Sequence, residues 1–130
     1  VDGAHVPNLC VAAIGRIFSD FWEQQLPGIR ARFGTAYESW PPFLTFCRIV
    51  RNASSHLGRV TINNPKAPEG AWYGLLIGPA NHGELLIGGV LLPGDLILLL
   101  RDLVLFLNHY GTPHSPEDLA QGSGEFGLRS

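Results

Sequence analysis

The sequence is poor in lysine and in charge overall. Lys66 is the only lysine among nine basic residues, charged residues make up 15% of the chain, and the formal net charge is −2. No broad positive field is available for a sequence-independent grip on long nucleic acids. The remaining basic residues are arginines, whose planar guanidinium groups still allow a local phosphate pocket.

Cysteine is scarce, and methionine and an uninterrupted membrane-length apolar run are absent. Cys10 and Cys47 are too far apart to form a metal-ligand pattern; their apolar contexts predict buried free thiols in a reducing compartment, with no metal site and no cofactor. No signal-peptide pattern is visible, so we expect a cytoplasmic protein. The chain begins with valine and has no methionine, which suggests trimming or a fragment. The most apolar segment, 96–107, is interrupted by charge and falls short of the about 20 residues that span a membrane.

The chain has the size and composition of one folded domain. It has 130 residues, of which 45% are apolar. Apolar residues at three- and four-residue steps predict one helix over Pro7–Gln25, which the Pro27-Gly28 pair should end or kink, and a short helical piece over Arg30–Phe33. A second helix should run from Pro41-Pro42 to about His56, and Gly58 suits the position just beyond it.

The last helix should be packed on every side. Asp95 is a candidate N-cap, and the segment from Leu96 to Tyr110 is apolar around nearly its whole circumference. Such a helix lies at the centre of a fold, and its neighbours can include a second protomer.

A short β region is expected before this last helix. Alternation and turn residues predict short strands at Arg59–Ile62, Trp72–Ile77 and Glu84–Ile87, forming a small antiparallel hairpin or meander. We therefore predict a mainly α fold, with a helical domain over 1–111, a β insert at about 58–88, and a flexible or surface-draped C-terminal tail over 112–130.

The densest group of reactive side chains lies near the end of the second predicted helix. Arg51, Asn52 and His56 have the spacing R-N-x-x-x-H. An imidazole can take a proton from a ribose 2′-hydroxyl, a guanidinium can hold the scissile phosphate, and an amide can orient either group. This set suffices for metal-independent RNA cleavage by transesterification. Because one imidazole cannot easily be base and acid at once, a symmetric homodimer is expected.

Three flanking residues are candidate phosphate or RNA contacts, namely Arg48, Ser55 and Arg59. Two other interpretations stay open. Arg51 can be a surface ion-pair former with Glu38 or Asp102, with His56 favoured at the helix end by the macrodipole. The chain can also be a non-catalytic module for dimerisation, nucleotide binding or protein interaction, built on the apolar last helix.

The segment Arg51-Asn52-Ala53-Ser54-Ser55-His56 resembles the R-x(4–6)-H motif of HEPN domains (higher eukaryotes and prokaryotes nucleotide-binding). The resemblance implies a helical bundle, often dimeric, whose paired motifs form a composite ribonuclease site at the interface. Arg51 and His56 would then be catalytic, and Asn52 a supporting polar residue. The similar branch of the family also implies a toxin–antitoxin or antiviral defence role, with an antitoxin or regulatory protein as a further partner.

Overall fold

The structure is a computed structural model that describes the backbone of residues 5–110 and the side chains of residues 11–109. The described part is mainly helical and carries one antiparallel hairpin before its last helix, which confirms the predicted fold class. The predicted tail over 112–130 lies outside the described residues. The elements are α1 (His5–Phe33), α2 (Pro42–Ser54), β1 (Gly70–Trp72), β2 (Leu75–Ile77) and α3 (Pro93–Tyr110), with short 3-10 turns at Tyr37–Ser39 and Pro79–Asn81.

Helix α2 is the centre of the fold. Eight of its thirteen residues are buried, and it packs against α1, the hairpin and α3. Pro41 precedes the helix and Pro42 opens it, where a missing backbone N–H costs nothing. The core of the domain therefore surrounds α2, and the last turn of α2 brings Arg51 to the surface beside α1.

Helix α1 runs through Pro27, so of the two predicted effects of the Pro27-Gly28 pair, a helix end or a kink, the end is wrong. Pro27 cannot donate to the carbonyl of Glu23, so one helical hydrogen bond is lost there. The side chains on either side compensate, because Trp22 is 2% exposed and Ile29 is 1% exposed. Burial of both halves against the same core outweighs the local cost, and the piece predicted at 30–33 is simply the last turn of α1.

The predicted strand over Trp72–Ile77 contains a turn of its own. Tyr73 and Gly74 have φ angles of 47° and 82°, as a two-residue hairpin turn of the I′ type requires. The strands before and after it pair in the register Gly70↔Ile77. The predicted strands at 59–62 and 84–87 are reduced to isolated bridges, Arg59↔Leu85 and Ile87↔Leu91. Turns at residues 82–83 and 88–90 stop either ladder from extending.

Helix α3 is packed within the chain on one face only. Leu96, Leu99, Leu103 and Phe106 are buried, whereas Ile97, Leu98, Val104 and Leu105 are 37–56% exposed. The expected contact of the second face with another protomer stays a prediction. Within the described range, no helix has the length and hydropathy needed to cross a membrane.

Two aspartates make polar contacts that fix the start and the middle of α3. Asp95 lies in the first turn rather than at the N-cap, since the helix begins at Pro93. Its Oδ2 accepts the backbone N–H of Leu92 at 3.0 Å, which is half of a capping box. Asp102 is 8% exposed and accepts the indole N–H of Trp72 at 2.9 Å. Trp72 is therefore a core residue, and this bond ties the hairpin to α3.

Cys47 is a buried free thiol, as the sequence predicts. Burial raises the pKa of this thiol well above its ordinary value, and the nearby negative charge of Asp102 raises it further. The neutral form is thereby favoured at physiological pH, which makes Cys47 a packing residue of α2. The side chain of Cys10 lies outside the described residues.

Candidate functional site at the end of helix α2

Helix α2 ends two residues earlier than predicted, so His56 lies outside it. Residues 55–58 form a turn in which the backbone N–H groups of His56 and Gly58 both donate to the carbonyl of Ala53, at 2.9 and 2.8 Å. Gly58 has the positive φ angle expected beyond a helix end, 81°, and Leu57 shares the left-handed region at 58°. The turn separates the imidazole from the helix face that carries Arg51.

Arg51 is held by an acidic residue that the sequence analysis did not identify. Its Nε donates to Oε2 of Glu23 on α1 at 2.9 Å, whereas the alternative interpretation of Arg51 as an ion-pair former names Glu38 or Asp102. The two side chains are 30% and 49% exposed, and ion pairs this accessible contribute at most about 1 kcal/mol. Contacts from Nη1 to Asn52 Oδ1 and Ser55 Oγ are long, at 3.5 and 3.4 Å. The guanidinium is oriented by Glu23 and can still bind an anion through its Nη groups.

His56 is exposed and has a defined tautomer. Its Nδ1 lies 2.8 Å from the backbone carbonyl oxygen of Asn52. A carbonyl oxygen only accepts, so Nδ1 carries the proton in this contact and the neutral ring keeps its lone pair on Nε2. His56 can therefore act as a base through Nε2. Asn52 thus touches both other motif residues, Arg51 through its side chain and His56 through its backbone.

A chain of hydroxyl groups fixes the crossing of α1 and α2 beside Arg51. Ser54 Oγ donates to the carbonyl of Arg51 at 2.7 Å. The other hydroxyl contact, 2.9 Å from Ser19 Oγ to Ser54 Oγ, is then donated by Ser19. The backbone carbonyl of Arg51 is therefore linked to α1 through these two hydroxyl groups.

A polar cavity of about 460 Å³ opens between α1 and the end of α2. It contains two guanidinium groups, two carboxylates and three hydroxyl groups, but neither Asn52 nor His56 lines it. In a single chain, therefore, this cavity contains the guanidinium group of Arg51 but no imidazole. Its lining residues are Ala12, Arg16, Ser19, Asp20, Glu23, Arg51, Ser54 and Ser55.

An apolar cavity of about 410 Å³ adjoins the polar one. The two cavities share the wall residues Ala12 and Ser54, and we call this adjoining pair the groove along α1. Aliphatic side chains and glycines line the apolar part. These residues are Val11, Ala12, Gly15, Ser54, Leu57, Gly58, Leu85, Ile87 and Gly88.

Of the three predicted flanking contacts, only Ser55 lines the cavity of Arg51. The guanidinium carbon of Arg48 lies 3.8 Å from the ring centre of Tyr37, where it makes a cation–π contact. The guanidinium of Arg59 donates to the carbonyl of Gly83 at 3.0 Å and holds the loop there. Both arginines therefore have structural roles that the sequence pattern did not reveal.

The residues missed by the sequence analysis lie on α1. Arg16, Ser19, Asp20 and Glu23 follow the three- and four-residue steps of one helix face. Arg16 Nε is 3.5 Å from Asp20 Oδ1 in a strongly exposed pair. This polar face of α1 can be recognised from the sequence. Its position beside Arg51 cannot, because it depends on the tertiary packing of α1 on α2.

Among the described residues, no group of three histidine, cysteine, aspartate or glutamate side chains is placed to hold a metal ion. Comparison of the chain with protein-family models, with curated proteins and with solved structures finds no match.

Replacing Glu23 with glutamine tests how firmly Arg51 is held. The change keeps the shape and removes the charge, so we expect the free energy of unfolding to fall by less than about 1 kcal/mol. Urea unfolding of dilute protein measures it, and Asp20→Asn is the matched control on the more exposed pair. A loss of about 3 kcal/mol or more is the cost of breaking a buried pair and would give Arg51 a structural role instead.

Proposed function

We propose that this chain is a cytoplasmic, metal-independent endoribonuclease of the HEPN type. It acts as a homodimer with a composite Arg51/His56 site, in a toxin or antiphage defence role that an antitoxin or regulatory protein controls. One observation carries the proposal. The motif residues Arg51, Asn52 and His56 are joined by contacts at the end of α2, beside an open polar cavity that contains Arg51.

The proposed reaction uses His56 as a general base. Its Nε2 removes the proton of a ribose 2′-hydroxyl, and the 2′-oxygen attacks the adjacent phosphorus atom. The bond to the 5′-oxygen breaks as the 2′,3′-cyclic phosphate forms; a water molecule gives a proton to the leaving 5′-oxygen, and the imidazolium of His56 returns its proton to the hydroxide that remains. Arg51 stabilises the charge that grows on the non-bridging phosphate oxygens.

In a single chain no imidazole lines the cavity of Arg51, so a phosphate bound there needs the His56 of another copy of the motif. A homodimer supplies the second copy, which is why the proposal includes the partner subunit. Ser55 and the hydroxyl of Ser54 lie in the same cavity as Arg51 and are candidate contacts to the phosphate or the sugar.

The test is cleavage of a labelled single-stranded RNA by the purified protein. We expect products with 2′,3′-cyclic phosphate ends and no effect of a metal chelator. His56→Ala should slow cleavage by about 100-fold or more, which is the contribution of a general base. Arg51→Ala should have a similar effect through lost phosphate stabilisation.

Arg30→Ala, which removes an exposed arginine from the last turn of α1, is the matched control and should cleave normally. Circular dichroism should show all variants folded. Cleavage by the His56→Ala protein at the wild-type rate would refute the proposal.

A second candidate function is a non-catalytic dimerisation or nucleotide-binding module. The ion pair between Arg51 and Glu23 favours it, because it gives Arg51 a role without substrate. A protein that dimerises but leaves every RNA intact would support this alternative.

A further inference from the structure

Leu57 is the most exposed large apolar residue in the described part of the chain. Its side chain is 92% exposed and its φ angle is 58°. A left-handed backbone costs a residue other than glycine about 1–2 kcal/mol. Within one chain, neither burial nor a relaxed backbone offsets that cost.

The turn presents Leu57 in a fixed position. The carbonyl of the next residue, Gly58, accepts the N–H groups of Leu86 and Ile87 at 2.8 and 3.0 Å. A Cβ on Gly58 would come within 2.7 Å of the Ile87 carbonyl, so the two segments are in direct backbone contact. A backbone held this way loses little conformational entropy on binding.

Leu57 stands at the lip of the apolar cavity lined by Val11, Gly15, Leu85 and Ile87. A projecting leucine and an apolar cavity therefore lie on one surface. When two copies of such a surface meet across a twofold axis, each leucine can enter the cavity of the other copy.

The charges of the adjoining polar cavity also suit a second copy of the chain as the partner. Its two arginines, Arg16 and Arg51, are matched by two carboxylates, Asp20 and Glu23. Balanced charges give no preference for a strongly charged partner of either sign. A second copy brings the same mixture, and a twofold rotation can set opposite charges against each other.

We infer that the groove along α1 is the homodimer surface, with Leu57 of each copy in the apolar cavity of the other. This inference rests on the proposed function and adds how its site is completed. His56 directly precedes Leu57, and the apolar cavity shares Ala12 and Ser54 with the cavity of Arg51. Insertion of Leu57 therefore carries His56 of one copy to Arg51 of the other.

The exposed face of α3 is the competing surface. Ile97 and Leu98 are 56% and 42% exposed there. A dimer built on α3 would bury apolar area as well, but α3 carries no motif residue. It would leave the cavity of Arg51 without an imidazole.

The experiment is sedimentation equilibrium of two matched variants. Leu57→Asn removes the apolar side chain and keeps a residue that tolerates the left-handed backbone. Because a twofold dimer loses both leucines, we expect its dissociation constant to rise by about 100-fold or more. Ile97→Gln removes an apolar residue from α3 and should leave the dimer unchanged. Thermal melting of dilute protein should show both variants at least as stable as the wild type.

A monomeric wild-type chain would overturn the inference. So would a Leu57→Asn protein that dimerises normally, or an Ile97→Gln protein that alone becomes monomeric, which would place the dimer on α3. The outcome is independent of the cleavage test. An inactive protein whose dimer depends on Leu57 would refute the nuclease function and support the dimer surface along α1. An active protein whose dimer depends on Ile97 would refute that dimer surface and support the nuclease function.

Discussion

Replacing Gly70 with alanine is expected to cost about 3 kcal/mol or more of unfolding free energy, at the upper end of the effects of overpacking. Gly70 opens β1, directly against α2. A Cβ there would lie 2.4 Å from both the backbone nitrogen and the Cα of Phe46. These are main-chain atoms of the central helix, which cannot rotate away as a flexible side chain does. The methyl group would therefore push the hairpin off α2.

Thermal unfolding measures this effect. A loss of about 3 kcal/mol lowers the melting temperature of a domain this size by at least about 10 °C. Gly28→Ala is the matched control, because nothing lies within 4 Å of its added Cβ; in a helix it should be neutral or stabilising by up to about 1 kcal/mol. Equal melting of the Gly70→Ala protein and the wild type would mean that β1 does not pack on the backbone of Phe46.

The helices were largely predictable because their apolar residues recur with the helical period. The miss at Pro27 has a specific cause. Local rules penalise an internal proline, but the burial of Trp22 and Ile29 against the core is a tertiary effect that no local pattern contains. The hairpin turn at Tyr73 was missed because tyrosine is rare in the left-handed region, and only Gly74 gave a turn signal.

The candidate site was predictable only in its α2 half. The spacing of Arg51 and His56 is local, and so is the turn that Gly58 allows. The partner of Arg51, Glu23, lies 28 positions away on another helix. The sequence offered several acidic residues for that ion pair, and only the packing of α1 on α2 selects one. The roles of Arg48 and Arg59 likewise depend on the loops that lie against them.

Mixing two inactive variants should restore activity if each site combines Arg51 of one copy with His56 of the other. An Arg51→Ala chain still supplies His56, and a His56→Ala chain still supplies Arg51. After equal mixing and subunit exchange, about half of the dimers are mixed, and each has one intact site of two. The cleavage rate should therefore recover to about a quarter of the wild-type rate, from almost zero in either variant alone.

The matched control is an equal mixture of wild type with the Arg51→Ala/His56→Ala double variant. If each site is shared between copies, both sites of a mixed dimer are inactive and only wild-type homodimers cleave. The mixture should then cleave at about a quarter of the rate of an equal total amount of wild-type protein. If each site lay within one chain, this mixture would instead cleave at about half of the rate of an equal total amount of wild type. The mixture of the two single variants would then recover no activity. Half of the rate in the control mixture, together with no recovery in the mixture of single variants, would contradict the shared site. Adding Leu57→Asn to both single variants should abolish the recovery, because the Leu57 anchor is what brings His56 of one copy to Arg51 of the other.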